Sequence, residues 1–286
     1  MGLLFSFLSA FFSSTKDLVS KKLSFQMDGT TSTFASFGFA LPFYIVLLVI
    51  LVAGGTETVT LTYPFLTLVL LRAITDSFAE GLKMHAFAHG DISIVATFFS
   101  ISPLFLLITS PLITGDTPSL PGIVAVVLVV GGSLVLVYRP SHQAWAGQKK
   151  GVLLAMAASF FFSLNSCFDR LAVQKGTPVF SGFSMTLLSA LFFCPFLFGR
   201  RERIAALQRH EAGLLIRGFL EIAFMVCKLH ALQYLQAPYV VSIQRLSLIF
   251  SIIGGRLFFQ EADFGRRLAS GVLILGGVIV IALLEV

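Results

Sequence analysis

RAITDSFAEGLKMHA at residues 72–86 and RGFLEIAFMVCKLHA at residues 217–231 carry similar charges at the same spacing. A shift of 145 positions aligns the two stretches without a gap, and five positions then agree in residue or charge. Ionisable residues are rare within apolar segments, so this agreement is hard to obtain by chance. The stretches therefore indicate an internal repeat. The aligned pairs are Arg72 with Arg217, Asp76 with Glu221, Lys83 with Lys228, His85 with His230 and Ala86 with Ala231.

The composition around these stretches is that of a membrane protein. Hydrophobic residues make up 56% of the 286 positions and charged residues only 12%, whereas soluble domains carry roughly 25% charged residues. Each bilayer crossing needs a helix of about 20 apolar residues. Ten apolar runs occupy most of the chain and lack the alternation of barrel strands, so they are predicted to be helices. The runs are 2–22, 32–53, 63–86, 92–113, 119–138, 150–173, 180–199, 211–233, 238–259 and 267–285.

The longest polar break lies at the middle of the chain and divides the ten runs equally. We expect a first five-helix repeat at residues 1–138, a connecting loop at 139–149 and a second repeat at 150–286. Because five is an odd number, the second repeat enters the membrane from the opposite face, and inverted repeats are common in secondary transporters. The predicted fold is therefore an all-α membrane protein of ten transmembrane helices, arranged as two inverted repeats around a central cavity.

The charged residues inside the runs form stripes. At 100° per residue, the four Arg, Lys, Asp and Glu residues of the third run fall in one quadrant of its helix, and the eighth run repeats the pattern. We expect the two stripes to face each other across the cavity and to bind the solute. The predicted substrate-binding residues are Arg72, Asp76, Glu80, Lys83, Arg217, Glu221, Lys228, Gln244 and Arg245.

Other roles for these residues remain open at this level. Arg72 and Asp76 are four positions apart, as are Arg217 and Glu221, so each pair could neutralise itself within one helix. Lys83 and its counterpart in the second repeat lie near the ends of their runs and could extend to the lipid headgroups. The carboxyl groups are also candidates for proton coupling. These are Asp76, Glu80 and Glu221.

The fourth and ninth runs add two further predictions. Arg245 has no acid one helical turn away, so we expect its partner to be an acid of another helix or the solute itself. Pro103 in the middle of the fourth run removes a backbone hydrogen bond and is expected to kink that helix, which makes it a candidate gating point.

The ionisable residues within the runs also suggest the class of solute. Basic side chains outnumber acidic ones, which favours an anionic or zwitterionic solute over a lipophilic cation. Additional residues expected to line the cavity are Lys16, Asp17, Asn165, Asp169 and Arg170.

Several other classes of site are not supported by the sequence. The three cysteines lack the spacing of a disulfide framework or a zinc site. No catalytic motif is present, and neither a metal nor a cofactor is expected. The net charge is +6, and many of the basic residues lie at the ends of runs or between them, where basic side chains signal membrane orientation rather than nucleic-acid binding. Their bias places both termini on the periplasmic side.

Several short motifs occur in both predicted repeats. The first repeat carries KMHA at 83–86 and SISPLF at 100–105, and the second carries SIQRLS at 242–247 and FFQE at 258–261. A Gly-Asp turn at 115–116 and glycine pairs at 131–132 and 276–277 accompany them. With these motifs the chain resembles the EamA family of the drug/metabolite transporter superfamily. The resemblance implies ten helices in a basket around a central cavity, alternating access and a bacterial inner membrane. It also implies cytoplasmic termini, in contrast to the charge bias.

The combined expectation is a secondary transporter that moves a small anionic or zwitterionic metabolite, such as an amino acid, across the inner membrane. The expected partners are a small solute and the lipid bilayer, with the chain acting as a monomer or homodimer. The alternatives are a passive channel, a flippase for lipids or lipid-linked solutes and, with less support, a membrane-embedded enzyme.

Overall fold

The computed structural model describes residues 1–24, 29–89, 98–137, 149–196, 200–250 and 264–284. Every regular element within these residues is a helix, which confirms the all-α prediction for this part of the chain. The first six are α1 (Gly2–Ser24), α2 (Gly29–Gly38), α3 (Leu41–Ala53), α4 (Tyr63–His89), α5 (Ser102–Ile113) and α6 (Leu120–Val137). The next six are α7 (Lys149–Lys175), α8 (Pro178–Phe193), α9 (Arg201–Arg209), α10 (Glu211–Tyr234), α11 (Ala237–Ile243) and α12 (Phe264–Leu284). A short 3-10 helix at Cys194–Phe196 follows α8.

Three helical segments of the described residues have the length and composition of membrane spans. Thr33–Ala53, Lys149–Lys175 and Pro178–Phe196 are each long and apolar enough to cross a bilayer. Four shorter apolar helices occur in the described residues, and α4 and α10 are long but carry the charged stripes. Helices suit these sequences because a helix satisfies its own backbone hydrogen bonds where lipid offers no partner.

Each predicted run overlaps at least one helix. The run at 32–53 is divided into α2 and α3 at Phe39 and Ala40, just before Pro42. Most of the predicted connecting loop, residues 139–148, lies outside the described residues. The helix α9 lies between the seventh and eighth runs, where no apolar run is predicted.

The fourth run is interrupted at a turn. Residues 98–99 are helical, residues 100–101 form a turn, and α5 then begins at Ser102. Pro103 therefore lies in the first turn of α5, rather than inside a continuous helix as the sequence suggested. Proline is well accommodated there, because N–H groups in the first turn have no partner within the helix.

The ninth run is interrupted at a corresponding point. Helix α11 ends at Ile243, residues 244–245 form a turn, and the helix resumes through residues 246–250. Under the shift of 145 positions, the two breaks occur within one residue of each other in the two predicted repeats. Paired interruptions of this kind are typical of the binding regions of secondary transporters.

The chain divides into two compact units. Unit 1 comprises Met1–Ile74 and Phe168–Tyr234, and unit 2 comprises Thr75–Cys167 and Leu235–Val286. Residues before and after the predicted connecting loop contribute to each unit. The compact units therefore group the chain differently from the predicted sequence repeats at 1–138 and 150–286.

Helix α10 is central to unit 1. It packs along α1, where the ring of Phe5 lies 5.0 Å from that of His230. Gly218 faces the carbonyl group of Phe39 at the break between α2 and α3, and a side chain at this position would collide with that backbone. This close approach sets the position of α10 and hence of the charged residues that follow Gly218.

A buried carboxylate supports the start of α8 in unit 1. Both oxygens of Glu57 accept hydrogen bonds from the first turn of α8, from Val179 N at 3.3 Å and Phe180 N at 3.4 Å. These amides have no acceptor within the helix, and the positive end of the helix dipole favours a carboxylate. Glu57 therefore has a structural role at this helix end.

In unit 2, helices α6 and α12 pack closely through a glycine. A Cβ atom at Gly277 would lie 2.6 Å from Val129 Cγ2 and 2.7 Å from Ala125 O, whereas a Cβ atom at Gly276 would meet nothing within 4 Å. Small residues permit close backbone approach between membrane helices. The two adjacent glycines form one motif in the sequence, but only Gly277 lies against the neighbouring helix.

We expect Gly277→Val to destabilise the folded protein by about 1–3 kcal/mol, because the new side chain must displace backbone atoms of α6. Gly276→Val is the matched control, since it adds the same side chain to an open position one residue away. Thermal unfolding of the purified variants in detergent measures the difference. Equal unfolding midpoints for the two variants would contradict the packing described here.

Candidate functional site

Asp169 joins two cations within unit 1. Its Oδ1 accepts a hydrogen bond from Arg72 Nε at 3.2 Å, and its Oδ2 accepts one from Lys228 Nζ at 2.7 Å. The three residues come from three helices, α4, α7 and α10. The carboxylate of Asp169, in the sixth run, therefore links the charged stripes of the third and eighth runs.

All three charged side chains are buried. Asp169 is 0% exposed, Arg72 7% and Lys228 8%. Removing charges from water is costly unless each has a partner of opposite sign. The ion pairs supply that partner, so the cluster is a built arrangement of charges rather than a chance proximity of exposed side chains. We refer to Arg72, Asp169 and Lys228 as the charge cluster.

Apolar packing positions the charge cluster. Val69 and Ala172 lie one helical turn from Arg72 and Asp169, respectively, and both belong to a buried group that also contains Phe65, Phe180 and Met185. Residues three positions apart share a helix face. Tight packing of these apolar residues therefore holds α4 and α7 in the register that places the guanidinium against the carboxylate.

Tyr44 lies beside the charge cluster. It is fully buried, and its hydroxyl would be 2.6 Å from a Cβ atom at Gly182. Such a Cβ atom would also be 3.1 Å from a methyl group of Leu229, the neighbour of Lys228. The side chain of Tyr44 thus occupies the space next to Gly182 of α8. Its hydroxyl group is also close enough to Arg72 and Asp169 for electrostatic interaction.

A second ion pair in unit 1 uses Glu221. Its carboxylate lies 3.3 Å from Lys16 Nζ of α1, and both side chains are largely buried. The same ammonium group lies 4.2 Å from the ring centroid of Phe224, a cation–π distance. Arg217, one turn before Glu221, is half-buried on α10. Arg72 and Glu221 thus both pair with other helices, so pairing within one helix is not their only role.

Arg170, the residue after Asp169, has a structural contact. Its guanidinium donates a hydrogen bond to the carbonyl oxygen of Leu232, in the last turn of α10. Basic side chains are favourable at helix C-termini because the last carbonyl groups lack partners within the helix.

The predicted residues of unit 2 form separate local groups. Asp76 is buried and accepts a 2.8 Å hydrogen bond from the amide of Asn165. Lys83 forms an ion pair with Glu80, three positions earlier in α4, and its ammonium group lies 5.8 Å from the ring centroid of Phe162. Asp76, Glu80 and Lys83 therefore have neighbours in α4 and α7.

Arg245 connects the two helix breaks of unit 2. Its Nη2 donates to Ser102 Oγ at 2.6 Å and to the carbonyl oxygen of Phe99 at 3.3 Å. Pro103 lies four positions after Phe99 and has no N–H group to donate to that carbonyl. A side chain from the other break supplies the donor instead, and this links Arg245 to Pro103 in a way that the sequence did not predict.

The partners of Arg245 are neutral. No carboxylate lies within ion-pair distance of it in the described residues, and its Nε atom is buried without a hydrogen-bond acceptor there. Gln244, in the same turn, is half-buried and takes part in a further interaction. The break thus contains a cation with unused donors.

Comparison with protein families decides the identity of the chain. A model of the EamA-like transporter family matches residues 1–138 and 149–283, which is nearly the whole sequence. The chain belongs to the EamA-like transporter family. It is therefore a multi-pass membrane protein of the drug/metabolite transporter type, and the expected family resemblance is confirmed.

Comparison with solved structures shows the fold of this EamA-like transporter. One protein, described only as a crystal structure, shares 17% sequence identity with a TM-score of 0.76. The match covers 99% of this chain and 98% of the other. At that identity the similarity concerns the fold alone. No curated protein matches the sequence of this EamA-like transporter.

The sequence of this EamA-like transporter did not assign the partners of its charges. Asp169 was expected to line the cavity but was not among the predicted binding residues, although it holds both Arg72 and Lys228. The three residues are separated by 97 and 59 positions along the chain. The only sequence signal for Asp169 is an acid deep within an apolar run, because spacing within one helix carries no information about partners on another.

Proposed function

We propose that this EamA-like transporter is a secondary transporter that moves a small anionic or zwitterionic metabolite, such as an amino acid, across the inner membrane by alternating access. The charge cluster is the main support for this proposal. Arg72 and Lys228 both donate to the carboxylate of Asp169 there, and buried cations favour an anionic group. The solute would bind through its carboxylate or another anionic group.

Lys228 is the strongest candidate for the solute-binding cation. An ammonium group has three N–H donors, and within the described residues Lys228 uses only the carboxylate of Asp169 as acceptor. Two donors are therefore available to an incoming anion. The remaining proposed binding residues are Arg72, Asp76, Glu80, Lys83, Arg217, Glu221, Gln244 and Arg245.

Alternating access would use the two helix breaks. We propose that residues 1–138 and 150–286 form inverted repeats and that the breaks at residues 100–101 and 244–245 are their equivalent flexible points. The hydrogen bonds of Arg245 to Phe99 O and Ser102 Oγ would hold one state, and their exchange would accompany gating near Pro103. Helix interruptions allow half-helices to reorient while neighbouring groups satisfy the freed backbone.

Proton coupling is assigned to the acids within the helices. Asp76, Glu80 and Glu221 are the proposed coupling groups, because a carboxylate within a membrane protein can exchange a proton as its surroundings change. Each of these side chains is largely buried, and each has a partner whose hydrogen bond or ion pair would break when the carboxylate takes up a proton. The partners are Asn165, Lys83 and Lys16, respectively.

Counterflow in proteoliposomes tests the proposal. Vesicles containing the purified transporter are loaded with an unlabelled amino acid or short carboxylate, and uptake of the labelled compound is followed over a panel of such solutes. A carrier accumulates label transiently above the equilibrium level. Simple equilibration would indicate a channel, movement of labelled lipid a flippase, and a chemically altered product an enzyme; each of these results contradicts the proposal.

A further inference from the structure

The charge cluster contains an anion of its own. The carboxylate of Asp169 lies 2.7 Å from Lys228 Nζ and 3.2 Å from Arg72 Nε, and it has no exposed surface. These are the distances at which a solute carboxylate would bind the same cations. Asp169 therefore already occupies part of the site that the proposed function assigns to the solute.

The two cations differ in how readily they can be shared. Arg72 donates to Asp169 through Nε. The direction of this N–H group is fixed by the plane of the guanidinium. Lys228 ends in a compact ammonium group with rotatable donors, two of which have no acceptor in the described residues. Lys228 can therefore bind Asp169 and a solute carboxylate at the same time.

A shared lysine brings the two carboxylates close together. A solute carboxylate on Lys228 would lie next to Asp169, and the two anions would repel each other in a region that water does not screen. One carboxylate of the solute is bound by the ammonium group of Lys228, whereas a second negative charge adds further repulsion from Asp169. Within the described residues, Arg72 and Lys228 contact this carboxylate, and Tyr44 is close enough to interact with it electrostatically.

We propose that Asp169 selects the charge of the solute, acting as a built-in counter-ion that shares Lys228 with a solute carboxylate and disfavours solutes with a second negative charge. The inference rests on the proposed function, because it concerns the same site. It narrows the solute to compounds with one carboxylate, which includes neutral amino acids, and it disfavours dicarboxylates.

The test compares butyrate with succinate, which have four carbon atoms each and differ by one carboxylate. Their apparent affinities are measured by thermal-stability titration of the purified protein in detergent at constant ionic strength. We expect the wild type to bind butyrate more tightly. In Asp169→Asn the ratio of succinate affinity to butyrate affinity should rise at least about tenfold, because the repelling charge is gone. Asp169→Glu should keep the wild-type ratio.

Two further variants keep the test decisive if Asp169→Asn does not fold. Lys228→Gln removes one positive charge and should weaken butyrate binding at least about tenfold. The double variant Asp169→Asn with Lys228→Gln also removes the repelling carboxylate and should regain part of the butyrate binding. Glu202→Gln, on the exposed surface of α9, is the control and should match the wild type.

The outcomes separate this inference from the proposed function. An unchanged ratio in folded Asp169→Asn, no regain in the double variant, or no response of the wild type to either compound at tens of millimolar would each overturn the inference. If the wild type shows counterflow of a solute but the ratio of succinate to butyrate affinity is unchanged in Asp169→Asn, the transport proposal is retained and only the proposed role of Asp169 is rejected. Charge-dependent binding without counterflow of any solute would overturn the transport proposal instead.

Discussion

Lys228→Gln is expected to reduce the initial rate of counterflow at least about 30-fold, corresponding to a loss of about 2 kcal/mol of interaction with the solute. The lysine is buried, bound to Asp169, and has donors available for an anion. Glutamine has a similar length but no charge. It therefore cannot balance the negative charge of the solute, and its hydrogen bond to the solute would be weaker than that of an ammonium group. The rate is measured in proteoliposomes at several solute concentrations.

Controls separate this effect from loss of the fold. Lys175→Gln makes the same substitution at an exposed lysine of α7 in the same compact unit, and it should leave the rate unchanged. Asp169 keeps Arg72 as partner in Lys228→Gln, so we expect a monodisperse protein with a lowered unfolding midpoint. Lys228→Arg, which keeps the charge, should retain part of the activity. A well-folded Lys228→Gln protein with wild-type rates would remove Lys228 from the binding site.

Arg245→Gln is expected to abolish measurable uptake, with a rate at least about 100-fold below that of the wild type. The guanidinium of Arg245 connects the two helix breaks of unit 2 through Ser102 and the carbonyl group of Phe99. Glutamine is shorter and uncharged, so it would leave this carbonyl without the donor that Pro103 cannot supply. Uptake in proteoliposomes and size-exclusion profiles are the measurements.

A graded series tests whether the hydrogen bonds of Arg245 matter. Ser102→Ala removes one acceptor and should slow uptake by about fivefold, consistent with the loss of roughly 1 kcal/mol. Arg209→Gln, at an exposed arginine of α9, is the matched control for the loss of charge and should behave like the wild type. A folded Arg245→Gln protein with normal uptake would show that bridging the breaks is not required for transport.

The helical class could be predicted from the sequence because helix formation in lipid is a local property. A continuous run of about 20 apolar residues, without the alternation of a barrel strand, satisfies its backbone hydrogen bonds in lipid as a helix. The predicted runs accordingly overlap the helices of the described residues. The interruption at residues 244–245 was not predicted, since no proline or glycine marks it. The difference between Gly276 and Gly277 likewise depends on which of them faces α6.

For the candidate site, the sequence located the charges and the structure supplied their partners. Arg72 and Lys228 were expected at the site from their repeated spacing, and the structure places both on Asp169. Glu221 was expected to bind solute, to couple protons or to pair with Arg217, and the structure pairs it with Lys16 of α1. These pairings join residues that are far apart in the chain, so no period within one helix predicts them.

The sequence by itself determined that the chain lies in a membrane, that its halves repeat each other and that charged residues occur within the apolar helices. Each of these properties follows from composition or from spacing along a single segment. Only the tertiary structure decided that Asp169 holds two cations and that Arg245 supplies the donor for Phe99 O. The physical reason is that such contacts depend on how helices pack, and packing is set by the shapes of side chains on several helices together.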